Sequence, residues 1–315
     1  MRISSALLES RALAGMQSQQ AGYQDAYSKL VSNQKITNPS DDPYGAAHLV
    51  SMDNELSKSE QYSSTRLEMN DQLKQQESVL SGVTDALHSA RDLVVQALNG
   101  TLTDKDRGTL AQSLRGVYET MSSAASSRDG SGNYIFSGYK SDKPPFNINE
   151  STLTITPAAN GSDYQGGGRI SYRVDGSRDV PGPATADTVF KTKEGDNLFD
   201  LLKHAINALE TPTGDGKTTA ADIQSSLSSD LKKIDSGLDN VLSVRAEGGT
   251  RMNELDALDT QWGNDKVNLE NNISQLGNTD FVAAASDFSY RQVGYEASIR
   301  AFAMLNETSL MDFMK

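Results

Sequence analysis

Apolar residues near the end of the chain recur at a fixed interval. Phe281, Phe288, Tyr295 and Phe302 lie seven residues apart, and Ala285, Ile299 and Phe313 continue a second row. A seven-residue repeat keeps one stripe of a helix turned toward a partner helix. The positions between are Ala, Ser, Gln, Arg and Glu, so the stripe is narrow and a solitary helix would leave its aromatic rings in water. A matching pattern opens the chain: Leu13, Met16, Gln20, Tyr23, Tyr27 and Leu30 step by three and four within a helix predicted over 3–36. The two terminal helices are expected to form a coiled coil, with Gln20 and Gln292 as polar interruptions that fix its register at some expense in stability.

Between these ends the pattern predicts two more long helices. Pro39 pushes Asn38 out of the helical region, Asp41 or Asp42 caps a new helix, and Pro43 fits its first turn. That helix is predicted to run to Ala97, with Met69, Leu73, Gln76, Leu80, Val83, Leu87, Ala90, Val94 and Ala97 in the three-four rhythm. Asn99-Gly100 ends it. A capping-box arrangement at Thr103 to Asp106 starts a return helix. The aromatic, glycine-bounded run 133–139 reads as a strand. From 141 to 192 the period changes to two, in Thr152 to Thr156 and Arg169 to Val174, and five of the eight prolines fall here. Helix resumes at Asp196 or Asn197, a second long helix is predicted from Thr219 to about Trp262, and Asn278 or Thr279 caps the terminal one.

The expected fold is mainly α: an elongated rod of long antiparallel helices with coiled-coil termini and a small antiparallel β insertion domain. Three domains follow. Residues 1–40 and 279–315 form the terminal coiled coil, disordered in the free monomer; 41–140 and 193–278 form the helical rod; 141–192 form a β-rich outer insertion.

Composition supports an extended molecule. The chain has 315 residues, 36% hydrophobic before its 25 glycines are counted and 6% aromatic, which with glycine added still falls short of the roughly 45–50% usual for globular domains. The net charge of −13 argues against nucleic acid as a partner, because phosphate contacts need a basic surface. Residues 1–40 carry four basic and two acidic side chains and 281–315 carry three and four, so the middle holds −14 and the ends are nearly neutral. Near-neutral ends approach copies of themselves without repulsion. There is no cysteine, hence no disulfide or thiolate chemistry. No apolar run has the length of a secretory signal or a membrane span. His48, His88 and His204 lie on separate segments without nucleophile or metal spacing, so no catalytic, cofactor or metal residue is assigned. Two neutral, small-surfaced helices bury little on their own, which makes ordering coupled to polymerisation the expected behaviour of the ends.

Several stretches together carry a resemblance: Met1-Arg2-Ile3-Ser4, Thr37 to Pro43, Asn99-Gly100-Thr101-Leu102 with Asp106-Arg107, Asp129 to Lys140 with Pro145-Phe146, and Val244-Arg245-Ala246-Glu247-Gly248. In this order, over about 1–146 and 196–315, the chain resembles the bacterial flagellar hook-filament junction family FlgL, hook-associated proteins akin to flagellin. The resemblance implies a non-enzymatic junction protein of the flagellum. Copies of itself in a ring, a hook-side junction protein, flagellin and a cytoplasmic export chaperone would be its partners, and the flagellar type III system its export route. Leu13, Met16, Gln20, Tyr23, Tyr27 and Leu30 would then assemble with Phe281, Phe288, Tyr295, Ile299 and Phe302, while Ile299, Phe302, Leu305 and Phe313 would meet the chaperone. A flagellin, the bulk filament subunit, is the nearest alternative; a secreted module whose insertion binds a ligand is another.

Overall fold

The computed structural model describes residues 2–156, 163–213 and 218–313, with side chains placed for Leu7 and for 9–155, 163–213 and 218–304. Among the described residues three α-helices precede two hairpins and four follow them: α1 Arg2–Ser32, α2 Pro43–Ala97, α3 Asp104–Ala125, β1 Asn147–Asn149, β2 Thr154–Thr156, β3 Ser171–Arg173, β4 Asp179–Pro181, α4 Ala186–Val189, α5 Leu198–Glu210, α6 Ala220–Gly277 and α7 Phe281–Phe313. Both hairpins are antiparallel, with Ile148 opposite Ile155 and Tyr172 opposite Val180. The chain divides into two compact units, Met1–Ser59 with Trp262–Lys315, and Glu60–Gln261.

The larger unit holds the core. Leu73, Leu80, Leu87 and Val94 of α2, seven residues apart, are buried, as are Leu227, Ile234 and Val241 of α6 with the same interval. Short α3 and α5 close over them with Leu114, Tyr118, Phe199 and Ile206, all fully buried. Each such side chain contributes about 1.5–3 kcal/mol by leaving water. The non-helical segments join this core. Phe136, Phe146 and Phe190 make edge-on ring contacts with one another or with Phe199, at centroid distances of 5.6 to 6.2 Å.

The local chemistry of helix starts is as the sequence implies. Asp42 accepts from the Gly45 amide at 2.9 Å ahead of Pro43, Thr103 and Asp106 complete a reciprocal capping box, and Asn197 caps α5. Elsewhere the structure corrects the reading. Residues 133–139 form no strand. The Asp129 carboxylate accepts from the backbone amides of Ser131 and Asn133, Tyr134 makes an isolated bridge to Arg128, and the run ends in a single 3₁₀ turn at Gly138–Lys140. Its aromatic density serves burial of Phe136, not pairing. Thr152 and Leu153 precede β2, because Leu153 has φ of 50°. Helix α1 stops at Ser32 rather than 36, since Asn33 takes a left-handed φ of 56°. Helix α6 continues past Trp262 to Gly277: its polar residues lack the apolar rhythm but include no breaker that ends a helix. Asp280, not Asn278 or Thr279, caps α7 by accepting from the amides of Val282 and Ala283.

Candidate assembly surface

In the unit of Met1–Ser59 and Trp262–Lys315, α1 and α7 run antiparallel, Gly22 facing Arg291 and Gln19 facing Gly294. A joint at one end fixes the pairing. The Lys35 amide donates to the Gly277 carbonyl at 2.7 Å, Thr279 donates to Asn33, and Gln34 bridges Asn278. Small residues set the approach: a side chain added at Gly22 would run into the Arg291 guanidinium, and Ala26 is the one buried residue among the described side chains of α1. Against that gap stand the rings. Tyr23 lies 5.2 Å from Phe288 and 5.7 Å from Tyr295, and Tyr27 lies 6.0 Å from Phe288, by centroids.

Charges at the joint are absorbed by local geometry. Asp41 accepts from the amides and hydroxyl of Asn38 and Thr37 and sits 3.5 Å from Lys29. The Asn38 amide, helped by Lys29 and Thr37, holds its carboxyl below the usual range. Lys29 is raised chiefly by its hydrogen bond to Asp25. Of the paired acids, Asp42 caps α2 and Asp41 closes the turn before it. Among the described residues no cluster of three or more His, Cys, Asp or Glu is placed to hold a metal. His48 stands edge-on to Tyr44, and the His204 Nδ1 lies 2.9 Å from a carboxylate oxygen of buried Asp230.

The expected assembly residues divide into two sets. Tyr23, Tyr27, Phe288 and Tyr295 come together, while Met16, Gln20, Leu30 and Phe302 are half-buried. Leu13, Tyr27, Phe281 and Ile299 are exposed, Phe281 to 63% and Tyr27 to 53%. Gln292 points outward and donates to Glu296. The side chains of Leu305 and Phe313 lie outside the described residues. Sequence reasoning missed a second row on α7: Val282, Ser286, Ser289 and Val293, in four-three-four spacing, are all exposed. That spacing was readable in the sequence but was masked by the stronger aromatic repeat. It also missed Gly22, Ala26 and Gly294, whose smallness signals close helix approach.

The contrast between the two units is large. Of the seventeen large apolar side chains found exposed among the described residues, thirteen belong to Met1–Ser59 and Trp262–Lys315. The same unit contributes two buried apolar side chains, Ala26 and Met52; all the others belong to Glu60–Gln261. A soluble monomer rarely leaves so much apolar side chain uncovered, and such surface marks a site of association.

Comparison with known proteins agrees with this arrangement. Residues 3–141 match the model of the bacterial flagellin N-terminal helical region, and residues 231–314 that of the bacterial flagellin C-terminal helical region. Flagellar hook-associated protein 3 of Escherichia coli is 31% identical over the full length of both chains. A solved putative flagellar hook-associated protein from Vibrio parahaemolyticus has a TM-score of 0.64 at 26% identity, covering 76% of this chain and 100% of its own. The flagellar junction protein FlgL from Legionella pneumophila shares the fold, with a TM-score of 0.56 at 18% identity over 74% of this chain and 100% of its own.

Proposed function

Because this chain belongs to the family of flagellar hook-associated protein 3, the flagellin-like FlgL proteins, we propose that α1 and α7 are its assembly surface. The chain is a structural junction adapter of the bacterial flagellum. It associates with other flagellar components and has its place in the flagellum, between the hook side and the filament. Likeness over the full length to a hook-associated protein favours this reading over that of a bulk flagellin.

The observation that carries the assembly reading is the uneven burial: among the described residues, thirteen of seventeen exposed large apolar side chains lie in a unit whose buried apolar side chains are Ala26 and Met52. Surface of this kind is stabilised when copies stack, which makes a ring of adapters the natural state. Leu13, Met16, Gln20, Tyr23, Tyr27 and Leu30 meet Phe281, Phe288, Tyr295, Ile299 and Phe302 within and between copies, on terminal segments 1–40 and 279–315. These segments order on assembly, and the residues of 141–192 form the outward insertion. Hook-side junction protein and flagellin flank the ring. Ile299, Phe302, Leu305 and Phe313 are the epitope of an export chaperone, because an amphipathic helix suits a binding groove. Export follows the flagellar type III route, and the protein works without catalysis.

Deleting the gene in its own bacterium, with electron microscopy of the surface and a blot of the medium, tests the role. Hooks without filaments, with intact flagellin released into the medium, is the expected result. Bare hooks with no other filament protein in the medium would make this chain the flagellin. Limited proteolysis of the free chain tests the ends, and uniform resistance before 40 and after 280 would overturn coupled ordering.

A further inference from the structure

The long seam of the larger unit does not define its own alignment. On α2 the buried residues Leu73, Leu80, Leu87 and Val94 repeat every seven positions, and on α6 Leu227, Ile234 and Val241 keep the same interval, which Leu255 resumes two heptads on, beyond Gly248. Sliding one helix by seven residues, roughly 10 Å, brings apolar side chains back opposite apolar side chains. Hydrophobic packing alone therefore discriminates weakly between alignments.

A set of buried polar contacts does discriminate. Arg66 on α2 is buried; its Nε donates to Asp259 on α6 at 2.6 Å and its Nη1 to the carbonyl of Val174, next to β3, at 2.8 Å. One turn further, Asn70 donates to Asp256 at 3.0 Å. Gln76, also buried, exchanges two bonds with the backbone of Ala184, at 2.7 and 2.8 Å. From the other helix, Arg251 donates to the carbonyls of Pro181 and Gly182, at 2.5 and 2.9 Å. The β3–β4 arm thus has one fixed place against α2 and one against α6. The Nη2 of Arg66 and the Oδ1 of Asn70 are buried without a partner, so the cluster is not optimised for stability. A buried charge kept at such a cost points to specificity, since a slip of α2 against α6 takes Arg66 away from Asp259.

We propose that the β3–β4 arm and the Arg66 cluster form an axial register clamp, which holds α2 and α6 at one offset among heptad-related alternatives. This goes beyond the role of the terminal helices and can fail without affecting it, because it is measured in the monomer.

The absence of cysteine gives a clean background for cross-linking. Arg91 and Asp235 are paired across α2 and α6 at 2.8 Å, so Arg91→Cys with Asp235→Cys reports the native alignment. Arg91→Cys with Ser228→Cys, or with Leu242→Cys, reports slips of seven residues in either direction. In the otherwise native chain only the first pair should be joined by a short bifunctional thiol reagent, used in place of a direct disulfide because the 2.8 Å contact runs through the long arginine side chain. Combining Arg66→Met with Asp259→Leu should leave helical content intact and raise a slipped pair from background to a yield comparable with the native one. Native-only cross-linking in that folded variant overturns the clamp. Should the double variant not fold, Gln76→Met removes a second pin and is read by the same reporters. Slipped product there supports the clamp, and native-only product overturns it.

Discussion

Tyr23 stacks on Tyr295, with ring centroids 5.7 Å apart and planes 17° from parallel. The same Tyr23 ring also meets Phe288, one heptad earlier on α7, so a single side chain of α1 spans two steps of the aromatic repeat. The contact lies in a unit with almost no other buried apolar material, so its removal should be felt locally.

Tyr23→Ala should loosen α1 from α7, at about 1–3 kcal/mol for a half-buried ring and its aromatic partners, while the melting of Glu60–Gln261 stays unchanged. Phe281→Ala is the complementary test. At 63% exposure the ring stabilises the monomer little, within about 0.5 kcal/mol, yet polymerisation of purified chain should fall sharply. Calorimetry and sedimentation of both variants check the pair, and normal polymer from Phe281→Ala would count against an assembly role for that stripe.

How far the sequence shows this depends on the kind of signal. The starts of α2 and α3 were legible, because Asp42 before Pro43 and the Thr103–Asp106 box are local arrangements that need no tertiary partner. The heptads of α2 were legible for the same reason of period. The run 133–139 was not, since buried loops and strands are equally aromatic and only the Asp129 turn and Gly138 separate them. The fate of Phe281 was not legible either. With Gly22 facing Arg291, Phe281 falls ten residues back, near Ser32 where α1 ends, so the partner helix stops where the aromatic repeat begins.

Gly138 has φ of 59°, and a side chain there would collide with the carbonyl of Gly168. The left-handed conformation alone costs a non-glycine residue about 1–2 kcal/mol. Because the obstacle is backbone, Gly138→Ala should lose at least ~2 kcal/mol. Urea unfolding with an unchanged slope and a lower midpoint is the expected result.

Tyr118 is fully buried against Phe199, ring centroids 5.6 Å apart, and its hydroxyl has no partner. Burial, reinforced by Asp200 and Glu150, pushes the phenol up to about 12. An unsatisfied buried hydroxyl costs about 1–3 kcal/mol, so Tyr118→Phe should stabilise the chain, by up to ~1 kcal/mol once small repacking losses are set against the gain. A drop in the thermal midpoint would mean that the hydroxyl has a partner after all.

Asp230 is buried on α6, and burial raises its carboxyl above the ordinary value, partly opposed by the hydrogen bond and charge of His204 and by Lys233. The sign follows from linkage. A carboxyl raised on folding contributes stability that is full below the unfolded value near 3.8 and is lost as pH rises through the folded one. At neutral pH the ionised Asp230 therefore opposes folding, and Asp230→Asn should be at least as stable as the native chain. On acidification through that window, the difference in unfolding free energy, native minus variant, should rise in favour of the native chain. Other carboxylates weaken both proteins in acid, Asp104, Asp106 and Asp222 among them, because threonine side chains and amides hold them low. Only the difference isolates Asp230, and a difference that is flat with pH would show that the His204 contact compensates its burial fully.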